Sequence, residues 1–247
     1  MSSLVILAGP SCVGKSPLLK ALQRFFPALA AGLQPLVLYN DRAARPGEVD
    51  GVAYHFRSRS AIESLKGQPG YVVLPVRRDL QALEIAQVRR ILDEGRTPIF
   101  EGNAYLAAAL RSAPELTEVP KTAIFLSPLC LDEVRYLQAQ PGVDLKSVIA
   151  DVMREKLLRR STRQKGVLSE EDRVDIEARC GAAYTEMQYA PQFDWVIPNH
   201  DGEDSDNWSI VGYPLGDARH SLLDCAAILQ GREPHWAERW PQDTFGG

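Results

Sequence analysis

The segment from Gly9 to Ser16 has the residue types and spacing of a loop that binds phosphate. It reads Gly-Pro-Ser-Cys-Val-Gly-Lys-Ser and fits the pattern G-x-x-x-x-G-K-[ST]. Glycines let the backbone wrap a phosphate so that several N–H groups point at it, and a following helix adds its positive N-terminal end. The pattern predicts that Lys15 reaches the β- and γ-phosphates of a nucleotide and that Ser16 ligates Mg²⁺. The predicted donor-binding residues are Gly9, Pro10, Ser11, Cys12, Val13, Gly14, Lys15, Ser16 and Pro17, the last in a first helical turn that tolerates proline.

A second cluster of donors follows at Arg42, Arg45 and Tyr54. Arginine presents a planar fork of N–H donors that stays charged, which suits a phosphate monoester. The alternative is a solvated turn with ordinary surface arginines, because Pro46-Gly47 and Asp50-Gly51 punctuate the segment. We favour the phosphate-binding interpretation.

A carboxylate for the metal is predicted at Glu101, directly after the apolar run Thr97–Phe100. An acidic residue at such a strand end can hold the water shell of Mg²⁺ in a phosphate-binding site. The alternative is a strand-end charge that faces solvent. Ser16 and Glu101 together are the predicted metal-binding pair.

The elements that must position these residues alternate between short apolar runs and helical patterns. Such alternation predicts an α/β fold with a parallel sheet flanked by helices, of the P-loop NTPase type. The predicted strands are Leu4–Ala8, Leu36–Tyr39, Tyr71–Val76, Thr97–Phe100, Thr122–Leu126 and Trp195–Ile197, and the predicted helices are Leu80–Glu94, Asp172–Tyr189 and Ala218–Gln230.

Two regions break this rhythm, and they shape the predicted organisation of a single domain over residues 1–247. Residues 138–171 are rich in charge and lack a strand pattern, and the tail from 202 contains Trp236 and Trp240. We expect the tail to dock on its own domain rather than on a partner surface. The predicted division is a core of 1–41, 71–137 and 172–201, an acceptor-binding insertion 42–70, a helical lid 138–171 and a C-terminal extension 202–247.

Composition excludes several classes of protein. The formal net charge is −4 and the sequence pI is about 5.7, so a globally basic nucleic-acid binder is not expected. Four scattered cysteines without a C-x-x-C pair are typical of reduced thiols in the cytoplasm. No signal-peptide pattern and no apolar run of about 20 residues is present, so no membrane partner is expected. The sequence contains neither N-K-x-D nor L-S-G-G-Q, which favours a small nucleotide-kinase-like enzyme over GTPases and transporter ATPases.

The stretch from Arg42 to Phe56 also carries a family resemblance. It reads R-A-A-R-P-G-E-V-D-G-V-A-Y-H-F and closely resembles the guanylate kinase pattern T-T-R-x-x-R-x-G-E-x-x-G-x-x-Y-x-F from its first arginine on. The phosphate loop precedes it at the separation that this family has, and weaker likenesses continue to Asn199. The resemblance covers about four-fifths of the chain. It implies an ATP- and Mg²⁺-dependent phosphotransferase that acts on a nucleoside monophosphate, GMP or a related one.

The resemblance also implies roles for individual residues. Arg42, Arg45 and Tyr54 would bind the acceptor's phosphate, Glu48 would hold that segment, and Asn199 would lie near the donor's adenine. Lid arginines would neutralise the migrating phosphoryl group, although the lid here is longer than usual, and a solvated basic helix face is the alternative for Arg159 and Arg160. The predicted catalytic residues are Lys15, Arg42, Arg159, Arg160 and Arg179, and Tyr71, Glu101 and Asn103 complete the predicted acceptor side.

The chain departs from the family at the positions that read guanine. Asn103 stands where the family has an aspartate, and Leu38 stands where a serine would touch the acceptor phosphate. Between Phe56 and Tyr71 the only acidic residue is Glu63. Guanine presents N–H donors that suit carboxylates, so an amide is a poorer partner. Two alternatives therefore stay open, a kinase of a non-nucleotide phosphorylated small molecule and an inactive guanylate-kinase-like binding module. The intact Lys15-Ser16 pair argues against the inactive module, and the oligomeric state is left open.

Overall fold

The computed structural model describes residues 3–44 and 47–246. Its strands are β1 Leu4–Ala8, β2 Leu33–Pro35, β3 Tyr39–Asn40, β4 His55–Phe56, β5 Tyr71–Val76, β6 Asp79–Glu84, β7 Thr97–Gly102, β8 Lys121–Ser127 and β9 Trp195–Pro198. Its α-helices are α1 Lys15–Phe25, α2 Pro27–Ala30, α3 Arg59–Glu63, α4 Ala86–Asp93, α5 Ala104–Ser112, α6 Leu131–Ala139, α7 Leu145–Lys165, α8 Glu170–Met187 and α9 Gly216–Leu229.

The main sheet has five parallel strands in the order β2-β7-β1-β8-β9. Its central strand β1 is apolar throughout and fully buried, as expected for a parallel strand with helices on both faces. Ile6 belongs to a core cluster that includes side chains of α5 and α8, whereas Leu7 belongs to a second cluster with α1 and α9. Because successive side chains of a strand point to opposite faces, the two clusters cover the two sides of the sheet. The predicted α/β fold class is confirmed.

A second, smaller sheet has the strand order β4-β3-β6-β5. The predicted helix Leu80–Glu94 is wrong over its first residues, because Asp79–Glu84 is a strand that pairs antiparallel with β5. The apolar residues of this segment are compatible either with a helix or with a strand that is buried on both faces. The segment forms a strand because it pairs with β5. The helix proper, α4, begins at Ala86.

The predicted strand Leu36–Tyr39 is also divided by the structure. Leu33–Pro35 is the edge strand of the main sheet, whereas Tyr39–Asn40 lies in the small sheet. Residues 36–38 connect the two sheets, and Leu36 and Leu38 are buried in that connection. The small sheet consequently extends beyond both ends of the predicted insertion 42–70, into residues 39–41 and 71–84.

The helices of the lid begin at capped N-termini, and the extension packs against the core. Asp144 caps the start of α7, and Ser169 forms a capping box with Asp172 at the start of α8. In the extension, Trp240 is buried against the main core, which confirms the expected docking of the tail on its own domain. Trp236 is partly exposed and stacks on His220, with the ring centroids 4.1 Å apart.

Candidate active site

One cavity of about 460 Å³ lies between the loop after β1, the small sheet and the helices α7 and α8. Its wall contains polar and charged side chains from all of these elements, together with Glu203 of the extension. The predicted site residues that line it are Gly9, Ser11, Cys12, Lys15, Ser16, Arg42, Glu48, Tyr54, Glu101, Asn103, Arg160 and Arg179. The fold therefore brings the predicted donor and acceptor residues around one space.

The loop between β1 and α1 has the tight backbone that its glycines predict. A Cβ atom on Gly9 would lie 2.3 Å from the carbonyl oxygen of Leu126, and one on Gly14 would lie 2.4 Å from Nδ2 of Asn199. Both residues also have positive φ angles, 149° and 107°. Two independent reasons therefore require glycine at each position: the backbone conformation disfavours a side chain, and the packing leaves no space for one.

Lys15 is buried at the start of α1. Its Nζ donates to the carbonyl oxygens of Gly9 and Pro10, at 2.8 Å each. Burial lowers the pKa of Lys15, while the carboxylates of Glu203 and Glu101 oppose that change. The ammonium group thus lies at the mouth of the loop, next to two acids.

Ser16 and Glu101 meet as the metal hypothesis requires. The Ser16 hydroxyl donates to Oε1 of Glu101 at 2.8 Å. Burial raises the pKa of Glu101, and the charge of Lys15 and the hydrogen bond from Ser16 oppose that rise. A hydroxyl and one carboxylate fit Mg²⁺, which keeps several waters and binds substrate phosphates. Within residues 3–44 and 47–246, no cluster of three or more Asp, Glu, His or Cys side chains forms an all-protein metal cage.

On the acceptor side, Arg42 is held in a fixed orientation. Its Nη1 and Nη2 donate to the two carboxylate oxygens of Glu48, at 2.7 Å each. The guanidinium also lies over the rings of Tyr54 and Phe56, at 5.1 and 5.4 Å from their centroids. Burial lowers the pKa of Arg42, but the Glu48 hydrogen bonds and charge outweigh it and raise the pKa overall. Arg45, the other predicted phosphate-binding arginine, lies outside the described residues.

Among the predicted donor-binding residues, Pro10, Val13, Gly14 and Pro17 belong to the loop and its helix but do not line the cavity, and Tyr71 and Arg159 also lie away from its wall. Tyr71 packs against Tyr39, with ring centroids 6.4 Å apart, on the face of β5 opposite to Val76, which lines the cavity. Strand alternation therefore turns Tyr71 away. Arg159 is more than half exposed and pairs with Asp204 at 2.8 Å, so of the two adjacent lid arginines only Arg160 faces the cavity.

Asn199 is fully buried, which bears on its predicted adenine contact. Its Nδ2 group donates to the carbonyl oxygens of Val13 and Asp201, at 2.7 and 2.9 Å. Both amide hydrogens are therefore committed inside the protein, and the side chain ties the phosphate loop to the segment after β9. In this structure it has no face free for adenine.

The lid helix α7 is bound to the extension by a row of charged contacts. Arg160 pairs with Glu203 at 2.8 Å, and Arg163 pairs with Asp206 at 2.9 Å. Lys156 donates to the carbonyl oxygen of His200. Arg179 on α8 pairs with Asp175 of its own helix at 2.8 Å. Arg160 of the lid thus lines the same cavity as the phosphate loop, and Glu203 supplies a carboxylate to that cavity.

Sequence reasoning missed several residues of the wall: Asn40, Arg77, Asp79, Gln81 and Glu203. Asp79 and Gln81 fell in or next to the segment predicted as a helix, and period-two alternation was the signal that could have found them. Asn103 accepts from the N–H of Leu106 as the cap of α5 and donates to Gln81 at 3.2 Å. An amide pair therefore lies where the family pattern places an aspartate.

The strand, glycine loop and helix, with Lys15 and the Ser16–Glu101 pair beside a fixed arginine, define a P-loop phosphotransferase. A family model described as guanylate kinase matches residues 1–156. The guanylate kinase of Rhodococcus jostii is 30% identical over 202 residues, 80% of each chain. That of Pseudomonas fluorescens is 33% identical over 156 residues, 62% of this chain and 71% of the relative.

The comparison with solved structures concerns the fold. The crystal structure of guanylate kinase from Anaplasma phagocytophilum superposes with a TM-score of 0.50 at 18% identity, covering 81% of this chain and 78% of the other. The chain belongs to the guanylate kinase family, and it is a nucleoside monophosphate kinase-like phosphotransferase.

Proposed function

We propose that this enzyme transfers the γ-phosphoryl group of ATP to the phosphate of a nucleoside monophosphate, GMP or a related one. The observation that carries the proposal is the arrangement of the cavity. The Arg42–Glu48 fork and Tyr54 face the same space as Lys15, Ser16 and Glu101. A cavity that joins two phosphate-binding clusters suits a reaction between two phosphorylated substrates.

The donor triphosphate would bind on the loop from Gly9 to Ser16, with Lys15 leaving the Gly9 and Pro10 carbonyls to reach the phosphate oxygens. Ser16 and Glu101 would hold Mg²⁺, which neutralises phosphate charge when it is bound. Asn199 supports donor binding indirectly, because its hydrogen bond to the carbonyl oxygen of Val13 fixes the backbone of the phosphate loop.

The acceptor phosphate would bind to Arg42, Arg45 and Tyr54, with Glu48 keeping the Arg42 fork in its orientation. Phosphoryl transfer depends on in-line positioning and on positive charge around the migrating group, with little covalent work for the protein. Lys15, Arg160 and Arg179 are the cavity residues that would supply that charge. Arg160 would exchange some of its contact with Glu203 for phosphate oxygens.

A second candidate is a kinase of a non-nucleotide phosphorylated small molecule. It is favoured by the altered base-reading positions, since Leu38 is buried and Asn103 is occupied by its helix cap and by Gln81. An inactive binding module is less well supported, because Lys15, Ser16 and Glu101 are together and intact.

We further propose the division of the chain into a donor-binding core, an acceptor-binding small sheet, a lid and an extension that clamps the lid. A cytoplasmic location is supported by Cys12, Cys130, Cys180 and Cys225, all four of which have free thiols. Among the described residues, no helix is long and apolar enough to cross a membrane.

The test is an ADP-release assay with ATP, Mg²⁺ and a panel of acceptors that includes GMP, dGMP, AMP, UMP and ribose 5-phosphate. A reaction without acceptor corrects for ATP hydrolysis, and a reaction with excess EDTA tests the metal requirement. We expect turnover with a nucleoside monophosphate. Turnover with the sugar phosphate alone would support the second candidate, and ATP binding without turnover for any acceptor would support the inactive module.

A further inference from the structure

The turn between β5 and β6 has an unusual backbone. Val76 pairs with Asp79, so the turn consists of Arg77 and Arg78 alone. Arg77 has a φ angle of 58°, in the left-handed region that glycine, asparagine and aspartate favour in such turns. An arginine thus stands at a position where glycine would relieve strain. Outliers of this kind cluster at functional sites, which directs attention to the side chain.

The side chain of Arg77 is fixed by a buried carboxylate of α8. Its Nη2 donates to Oε1 of Glu186 at 3.1 Å, and Glu186 is only 1% exposed. Glu186 lies in the last turn of α8, where the negative end of the helix dipole disfavours a carboxylate. A buried acid in such a place needs a cation, and Arg77 supplies it. The ion pair holds the guanidinium against the wall of the cavity that Arg42 and Lys15 also line.

Within the part of the chain that the structure describes, two buried N–H donors on the small-sheet side of the cavity lack an acceptor, Nε of Arg77 and Nδ2 of Asn40. Nε of Arg160, on the lid side, also lacks one. Asn40 is 1% exposed, and its Oδ1 atom already accepts from the backbone N–H of Arg42. A buried donor without an acceptor costs free energy, so the pair fits a ligand that brings oxygen atoms to this wall.

The neighbouring charges favour an anionic ligand. Arg42 is paired with Glu48, and Arg77 with Glu186, which is 1% exposed and does not line the cavity. Burial is the main cause that lowers the pKa of Lys15, and the positive charge of Arg77 adds to it, so the two cations are close enough to interact. A phosphate group between Lys15 and Arg77 would offset the repulsion between their positive charges.

We propose that Arg77 is a further acceptor-binding residue, which donates to the acceptor phosphate from the β5–β6 turn while Arg42 binds it from the segment after β3. Glu186 is then a positioning residue that orients the Arg77 fork. This inference rests on the proposed function for the identity of the ligand. The competing explanation is a purely structural ion pair that joins the small sheet to α8.

The first test compares Arg77→Gln with Arg78→Gln, a matched control in the same turn whose side chain is exposed. For the best acceptor of the panel, we expect Arg77→Gln to raise the acceptor KM about 10- to 100-fold, the usual size for a charged hydrogen bond. The KM for ATP should stay within about twofold. Arg78→Gln should leave both constants within about twofold. A structural ion pair predicts a lower Tm with both KM values unchanged, which would overturn the inference.

A second variant separates binding from stability. Arg77→Gly with Glu186→Gln removes the backbone strain and leaves no buried carboxylate unpaired. We expect its Tm to equal or exceed that of the wild type, while acceptor affinity stays as weak as in Arg77→Gln. Restored affinity in this stable variant would contradict the proposal.

Direct binding keeps the inference separate from the proposed function. Isothermal titration calorimetry with GMP and with inorganic phosphate, without ATP, needs no turnover. Weakened binding in Arg77→Gln but not in Arg78→Gln supports the inference even if no acceptor is phosphorylated. Turnover in the wild type with equal affinity in both variants overturns the inference alone. No binding of either probe to the wild type, together with no turnover, overturns both.

Discussion

The donor half and the acceptor half of the cavity differ in how their polar groups are satisfied. On the donor side, Lys15 and Asn199 have partners in the phosphate loop, and Arg160 pairs with Glu203 of the extension, with only its Nε left without an acceptor among the described residues. On the acceptor side, Arg42 is fixed by Glu48, but Asn40 and Arg77 have donor atoms without acceptors among the described residues. The main donor-side groups are therefore already bound within the protein, whereas two side chains on the acceptor side, Asn40 and Arg77, have hydrogen bonds still to be made.

This difference indicates where substrate selection occurs. Donors that gain partners only when the ligand binds discriminate strongly against ligands that leave them unpaired. In the donor half, Lys15 and Arg160 must instead exchange their present partners for ATP, because Lys15 is bound to the loop carbonyls and Arg160 is bound to Glu203. We therefore expect changes on the donor side to affect the chemical step, and changes on the acceptor side to affect acceptor affinity and choice.

The largest effect is expected for Lys15→Met, which removes the charge but keeps most of the side chain. Losing one charged donor to the migrating phosphoryl group should lower kcat by about 10²–10³-fold or more. Acceptor affinity, measured by calorimetry, should stay within about twofold. Lys20→Met, at an exposed position of the same helix, is the control. Wild-type turnover in a folded Lys15→Met protein would refute the donor assignment.

The next effect is expected for Arg42→Gln. It removes a bidentate, charge-assisted contact, which is worth about 2–3 kcal/mol, so the acceptor KM should rise roughly 10- to 100-fold. ATP affinity should hardly change. Arg57→Gln, which breaks an exposed pair with Asp50, is the control and should be neutral. If ATP binding weakened instead, Arg42 would belong to the donor half.

Acceptor choice is the target of Asn103→Asp. The new carboxylate can still cap α5 and would offer guanine an acceptor for its N–H groups. We expect the ratio of kcat/KM for GMP to that for AMP to rise about tenfold, the size of one good hydrogen bond. Asn103→Ser retains a capping oxygen without the charge and should leave the ratio unchanged. An unchanged ratio in Asn103→Asp would mean that a base does not reach this wall.

The smallest effect is expected for the pH dependence of stability, through the contacts of His200 with Asp217 and Glu133. Burial opposes the charged form of His200, but hydrogen bonds to Asp217 and Glu133 outweigh it and raise its pKa above 6.5. Its contribution to stability is fully present below pH 6.5 and is lost as the pH rises through the raised value. His200→Gln should therefore reduce the loss of unfolding free energy between pH 6 and pH 8.5, measured by urea denaturation, with kcat unchanged. An identical pH dependence in both proteins would show that this cluster does not titrate with folding.

Local patterns were sufficient for the parts of the site that are contiguous in the chain. The loop from Gly9 to Ser16 and the Arg42–Glu48–Tyr54 cluster could be predicted because each is a short motif with its own chemistry. Tyr71 and Arg159 were placed in the site by resemblance and lie away from the cavity wall. Arg160, next to Arg159, does line the cavity, whereas strand alternation and helix position turn the side chains of Tyr71 and Arg159 elsewhere.

The sequence by itself determined the α/β fold class, the phosphate loop and the family, because these depend on apolar periodicity and on a few closely spaced residues. Only the tertiary structure decided that residues 79–84 form a strand, that the extension clamps the lid, and that Arg77 and Glu186, 109 residues apart in the chain, meet at the cavity. These outcomes depend on pairing between distant segments, and local sequence carries little information about which distant partner a strand or a charge will find.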